Sequence, residues 1–227
     1  MDTILTYNGH ANLSLETSGI KLIIDPWFEG NPWVKSSADE VEADYVLVTH
    51  AHYDHVGQAV EILKRTGATC ISNPEICAWV EKQGLKAQSV KIGEGFDFPF
   101  GRVEATKAEH HSGFKDGTAG GEAMGFVIRT LDNKSIYLAG DTRLFAGMTK
   151  IGKEGLDLAV LPIGGHYTMD PEDALEAVKK LKPKMVIPIH FSTFDLIKQD
   201  PVAWKTRVET ETTTQVTVLQ PSDSLSF

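Results

Sequence analysis

Five short apolar runs set the terms on which this chain can fold. They lie at residues 21–25 (KLIID), 44–50 (DYVLVTH), 135–141 (SIYLAGD), 156–165 (LDLAVLPIGG) and 184–190 (KMVIPIH). Short continuous runs of Val, Ile and Leu bounded by turn residues read as buried strands. Residues 215–220 (QVTVLQ) form a shorter, half-alternating sixth. Three hairpins are also legible, turning at Asn8-Gly9, at Phe100-Gly101 and at Asp132-Asn133. Between the strands lie helices. Val56, Ala59, Val60 and Leu63 recur at helical spacing and stop at Gly67; Asn73-Pro74, Asp170-Pro171 and Asp200-Pro201 are helix starts. Leu175, Val178 and Leu181 line one face of the third helix, and Trp204 and Val208 belong to the fourth. Hairpins first, then strands alternating with helices, predict one α/β domain over residues 1–227 with antiparallel or mixed sheets.

Composition bounds the function. A hydrophobic share of 41% and a charged share of 23% in 227 residues are those of a globular chain. No run is long enough to span a bilayer, and the first residues, MDTILTYNGH, lack a secretory signal's basic start and apolar core. The two cysteines, Cys70 and Cys77, read as small packed residues in a reducing compartment, so the expected location is the cytoplasm. A net charge of −9 disfavours nucleic acid as a partner and leaves room for a small-molecule substrate, an anionic one included. A homo-oligomer stays open.

The chemistry sits where the apolar runs stop. His50, Asp141 and His190 each end one; His110 follows a hairpin strand, and His166 follows AVLPIGG. Strand ends on one sheet edge converge, and sites on open α/β sheets tend to lie there. Residues 50–55 (HAHYDH) concentrate the signal. In extended backbone His50 and His52 point the same way and can grip one ion. Asp54 and His55 follow as the chain turns into a helix and can reach a second. Imidazole and carboxylate suit Zn, Mn or Fe, and the lack of thiolate ligands argues against a purely structural zinc site.

At these residues the chain resembles the metallo-β-lactamase superfamily, whose His-x-His-x-Asp-His signature is matched by THAHYDH. ATKAEHHSG, IYLAGDT and VIPIHFSTF follow in the family's order. GHANLSLET, IIDPWF and LPIGGHYTMDPEDA resemble a branch of small metal-dependent hydrolases related to ascorbate-phosphate lactonases and N-acylethanolamine phospholipase D enzymes. The likeness runs from Ile4 to about Leu219. It implies a four-layer αββα sandwich, with two mixed β-sheets inside and helices outside. It also implies a binuclear site: His50, His52 and His110 on one metal, Asp54, His55 and His190 on the other, and Asp141 bridging. His110, rather than His111, aligns with the third ligand.

The resemblance implies a hydrolase that holds two divalent metal ions, zinc first and manganese or iron next. A hydroxide between the ions would cleave a lactone, ester or phosphodiester. Asp54 would orient the nucleophile or carry its proton, and His166 would donate to developing negative charge. Asp25 is expected to hold backbone or a ligand histidine. His10 is expected at the substrate rim or in packing. Trp27, Phe28 and Trp33 form either an apolar wall by the site or core, and Lys107, Lys115 and Arg143 either meet an anionic substrate or face solvent. The alternatives are an iron-dependent oxidoreductase on the same ligands, a nuclease, and a catalytically silent sensor.

Overall fold

The computed structural model describes residues 2–227. The first sheet is built from β1 (Ile4–Gly9), β2 (Asn12–Thr17), β3 (Ile20–Ile24), β4 (Tyr45–Leu47), β5 (Thr69–Ser72) and β6 (Ala87–Ser89). The second comprises β7 (Gly95–Phe98), β8 (Gly101–Lys107), β9 (Met124–Thr130), β10 (Ser135–Leu138), β11 (Leu158–Pro162), β12 (Met185–Ile189) and β13 (Gln215–Val216). The last strand, β14 (Ser224–Ser226), returns to the first sheet and pairs with β1. Strand orders are β14-β1-β2-β3-β4-β5-β6 and β7-β8-β9-β10-β11-β12-β13. Up to β3 in one sheet and β10 in the other, neighbours are antiparallel; beyond them they are parallel. The two sheets thus repeat one plan.

Why the strand runs are apolar without a break is visible in where alternate residues go. Leu22 and Ile24, Leu47, Ile136 and Leu138, Leu158 and Val160, and Ile187 and Ile189 meet in one core between the sheets. Their neighbours Ile23, Val46 and Val48 point outward to Ala59, Ile62, Leu63, Ile76 and Val80. Tyr137, Ala159, Leu161 and Val186 point outward to Met148, Leu175, Val178, Leu181 and Trp204. Strands covered on both faces have no polar side to show. The layers are therefore helix, sheet, sheet, helix, as the resemblance implied.

The outer layers are α1 (Tyr53–Val56), α2 (Ala59–Thr66) and α3 (Pro74–Glu81) on the first sheet, and α4 (Met148–Gly152), α5 (Pro171–Leu181) and α6 (Pro201–Glu211) on the second. Their starts follow the sequence signals. Asn73 accepts from the Ile76 N–H at 2.8 Å, Asp170 from Glu172 and Asp173, and Asp200 from Val202 and Ala203, each ahead of a proline. Among the described residues no helix is long and apolar enough to cross a membrane.

Several local expectations shift. The expected first helix is broken in two at Gly57, whose φ is 41°, and Ile62, not Val60, faces the core. A Cβ on Gly57 would lie 2.3 Å from the Pro26 carbonyl oxygen, so only glycine lets the chain pass beneath the 26–29 loop. The first hairpin turns one to two residues late, at His10-Ala11, because a register irregularity between Tyr7 and Gly9 lengthens β1. The second turns at Pro99-Phe100, just before Gly101. Of residues 215–220 only Gln215–Val216 pair, since that edge of the sheet ends there. β5, β6, β14 and α4 carried no strong periodicity; they form because neighbours offer them pairing or burial.

Candidate metal centre

Chain geometry at the strand ends brings the polar residues together. His10 after β1, Asp25 after β3 and His190 after β12 all have positive φ (61°, 46° and 52°). Non-glycine residues rarely adopt this conformation; where they do, strain is often held at a functional site. Here each one turns its strand over the sheet edge.

Asp25 is the scaffold's anchor. One oxygen accepts the Thr49 backbone N–H at 2.8 Å; the other accepts the Thr49 hydroxyl and the His55 Nδ1–H, both at 2.7 Å. The Thr49 hydroxyl, having donated to Asp25, can only accept from His50 Nδ1 at 3.0 Å. One buried carboxylate therefore places a proton on Nδ1 of both imidazoles and turns Nε2 of His50 and His55 toward the other candidate ligands.

Those Nε2 atoms face the other expected ligands. Nε2 of His50 lies 3.0 Å from Nδ1 of His52, which lies 3.2 Å from Nε2 of His110. A tetrahedral zinc with Zn–N near 2.05 Å would space its nitrogens about 3.3 Å apart. Nε2 of His55 lies 3.3 Å from one oxygen of Asp141. The other oxygen of Asp141 is 3.1 Å from His190 Nε2, 3.6 Å from His110 Nε2 and 4.0 Å from His50 Nε2. Asp141 stands between the two groups. Ligand atoms of His50, His52 and His110 cluster together, as do those of His50, His55 and Asp141, and those of His10, Asp54, His55 and His190. All seven expected ligands meet at one rim. His10 joins them, which the sequence reading left undecided.

The donors fit a cation. Three of the five buried side-chain polar atoms without a hydrogen-bond partner among the described residues are here: His55 Nε2, Asp141 Oδ1 and His190 Nδ1. A buried polar atom left unpaired is costly. Burial disfavours charge on His50, His52 and His110 and lowers their pKa values, so they stand as neutral donors, the form a metal requires. Burial also works against a charged His55, yet Asp141 and Asp25 on either side outweigh it and raise its pKa. The pocket asks for positive charge at His55 Nε2, and a metal can supply it in place of a proton. Burial works against an ionised Asp141, but His190 and His55 win and hold it well below the usual carboxylate range.

His10 is buried, and its pKa is lowered to about 3 by burial and by His190. Its Nε2 lies 3.3 Å from Asp54, a carboxylate that cannot donate, so Nε2 carries the proton and Nδ1 accepts from the Thr193 hydroxyl at 2.6 Å. Burial would raise the Asp54 pKa; the His10 hydrogen bond helps bring it down to about 2. The His10 carbonyl also accepts the His190 N–H at 2.9 Å. His110 is set by a separate tie, in which the Glu109 N–H donates to the Thr142 hydroxyl next to Asp141 at 2.9 Å.

Other expected residues stand further out. His111 is exposed, with its ring stacked on His52. His166 is exposed and packs edge-on against Tyr167; it is not brought into the ligand cluster. Lys107 pairs with Glu109, and Lys115 and Arg143 are exposed. Trp27 is the apolar wall, 5.0 Å from His10 and stacked on Phe194; Phe28 and Trp33 pack into the interior. The Gly-rich loop 112–122 is held by Asn73, which donates to the carbonyls of Gly120 and Glu122, and by Ser112, which accepts from the Ala51 N–H. Beside the ligands opens a cavity of about 400 Å³ whose wall includes Tyr53, Tyr167, Phe194 and Leu196. Sequence reading missed this wall, because those side chains lie on three separate segments.

Comparison with known proteins agrees with the geometry. The profile of the family described as "Beta-lactamase superfamily domain" matches residues 21–191. A UPF0173 metal-dependent hydrolase of Heliobacterium modesticaldum is 46% identical over 231 residues, spanning 98% of this chain and 97% of its own. Igni18, a metallo hydrolase of Ignicoccus hospitalis, superposes with a TM-score of 0.92 at 38% identity, covering 100% of this chain and 99% of its own. CmlA, a diiron β-hydroxylase from Streptomyces venezuelae, shares the fold at 16% identity and a TM-score of 0.77, with this chain covering 54% of it. The chain belongs to the metallo-β-lactamase superfamily and, within it, to the UPF0173 metal-dependent hydrolases.

Proposed function

We propose that this protein is a single-domain hydrolase, residues 1–227, that uses two divalent cations, zinc first and manganese or iron next, to cleave an ester, lactone or phosphodiester bond in a small molecule. The observation that carries the reading is the pair of buried ring nitrogens, His50 Nε2 and His55 Nε2, held by their Nδ1 hydrogen bonds on either side of the Asp141 carboxylate. His50, His52 and His110 would hold one cation, Asp54, His55 and His190 the other, with Asp141 shared. Cations there would supply a water acidic enough to ionise near neutral pH and polarise the bond under attack. The chain's own part is positional. Asp25 keeps two rings in the required tautomer, and His10 holds one oxygen of Asp54, whose other oxygen is free to orient the attacking water. His166, exposed and packed against the cavity-wall residue Tyr167, would donate to negative charge developing on the substrate.

The hydrolase names of close relatives favour hydrolysis over iron-dependent oxidation. The test is metal analysis of protein purified without chelator, followed by assays of aryl esters, lactones and phosphodiesters. Two metals per chain and chelator-sensitive turnover are expected. Protein that holds no transition metal even after addition, or that consumes dioxygen instead, overturns the reading.

A further inference from the structure

Seven large apolar side chains are well exposed among the described residues, and three of them, Tyr53 (55%), Tyr167 (47%) and Leu196 (63%), stand around one opening. They come from three separate segments, after β4, β11 and β12, so no local pattern explains their meeting. Phe194 completes the collar. Behind it Trp27 stacks on Phe194 at 5.8 Å and meets Tyr53 edge-on at 5.9 Å, which makes the apolar surface continuous from rim to ligands. Among the described residues no Lys or Arg lines the cavity. Lys107 is paired with Glu109, and Arg143 is exposed and outside the lining. Exposed apolar surface gathered around a concave site marks what the site receives.

We infer that the group flanking the scissile bond is uncharged, flat and apolar, an aryl or comparable hydrophobic moiety, rather than the sugar phosphate or carboxylate that an anionic substrate would present. This rests on the hydrolase reading above. The cations would act on the reacting centre alone; the collar receives what lies beside it. Aromatic side chains offer such a group a face and an edge at little entropic cost, while a charge placed there would lose water and find no partner.

The test pairs phenyl acetate with 4-acetoxybenzoate, which present the same acetyl ester and differ by a remote carboxylate. Zinc-loaded full-length protein is expected to favour phenyl acetate by about tenfold or more in kcat/KM, a range that apolar pockets reach. The double variant Tyr53→Ala, Tyr167→Ala, both at exposed positions, should bring that ratio near one while keeping its metal content. Equal or faster turnover of the charged ester, or an unchanged ratio in the variant, overturns the inference. If neither ester is cleaved, simple aryl esters drop out of the bonds proposed above, and the collar is judged by equilibrium binding of acetanilide against 4-acetamidobenzoate. Tighter binding of the neutral amide, lost in the double variant, upholds it; equal binding overturns it.

Discussion

Asp25 and Asp141 occupy matching places. Each follows the strand at which its sheet changes from antiparallel to parallel pairing, β3 in one and β10 in the other, and each touches His55 from an opposite side. Their fates differ. Both oxygens of Asp25 are taken by protein donors, whereas Asp141 keeps an oxygen with no partner. An aspartate saturated by its own chain is frame; one left short in a buried place is waiting for something the chain does not supply. Two copies of one structural plan have been put to opposite uses.

The comparison can be broken most directly at Asp141. Asp141→Asn should abolish metal-dependent turnover and lower metal content, a loss beyond the roughly 10–100-fold typical of residues that merely orient a ligand. Elemental analysis and rates on the same preparation check it; retention of both metals with full activity would remove the distinction. Asp25→Asn should fall inside that window. Metal affinity drops by about 10–100-fold, and stability by about 1–3 kcal/mol as charge-assisted bonds to Thr49 and His55 weaken. Chelator competition and denaturant titration separate the two effects. His10→Ala should cost about tenfold in affinity for the second metal, with His10→Gln, which can still donate to Asp54, recovering part of it; a variant that loses both metals equally argues against selective support of Asp54.

A third aspartate sharpens the contrast from outside the site. Burial would raise the pKa of Asp132, but hydrogen bonds from Thr130 and Thr3 win and lower it. A carboxylate held low stabilises the fold above its unfolded value of 3.8, and that stability fades as pH falls through its lower folded value. The group is part-buried and accepts from two hydroxyls, so Asp132→Asn should cost about 1 kcal/mol at neutral pH. It should also flatten the acid limb of a stability titration and leave metal-loaded turnover unchanged. A drop in turnover would mean that the two ends of the sandwich are coupled.

Much of this was legible before any coordinates. Continuous apolar runs gave the buried strands, proline-led caps gave the helix starts, and residues of the types that suit a metal sat where runs stopped. The choice of His110 over His111 rested on the family resemblance, and the fold sets the His110 ring beside His52 while His111 stays exposed. What stayed hidden depended on the path of the backbone. His10 reads as a turn residue until its positive φ points it inward, and nothing near residue 57 announces that a carbonyl would block a side chain there. His166 sits at the right strand end yet faces outward, because the chain reverses at Gly165, whose φ is 70°. The collar escaped notice because Tyr53, Tyr167 and Leu196 look like ordinary scattered surface residues until the fold gathers them. Side-chain chemistry is written locally; the meeting of distant segments is not.

One consequence follows from which strands deliver the ligands. His50, His52, Asp54 and His55 come from the first sheet and its helices, whereas His110, Asp141 and His190 come from the second. Neither half owns a complete set of donors, so a cation held there would act as a rivet across the seam. Loading it should slow the parting of the lobes on heating, and a chelator should loosen the whole molecule as well as silence it.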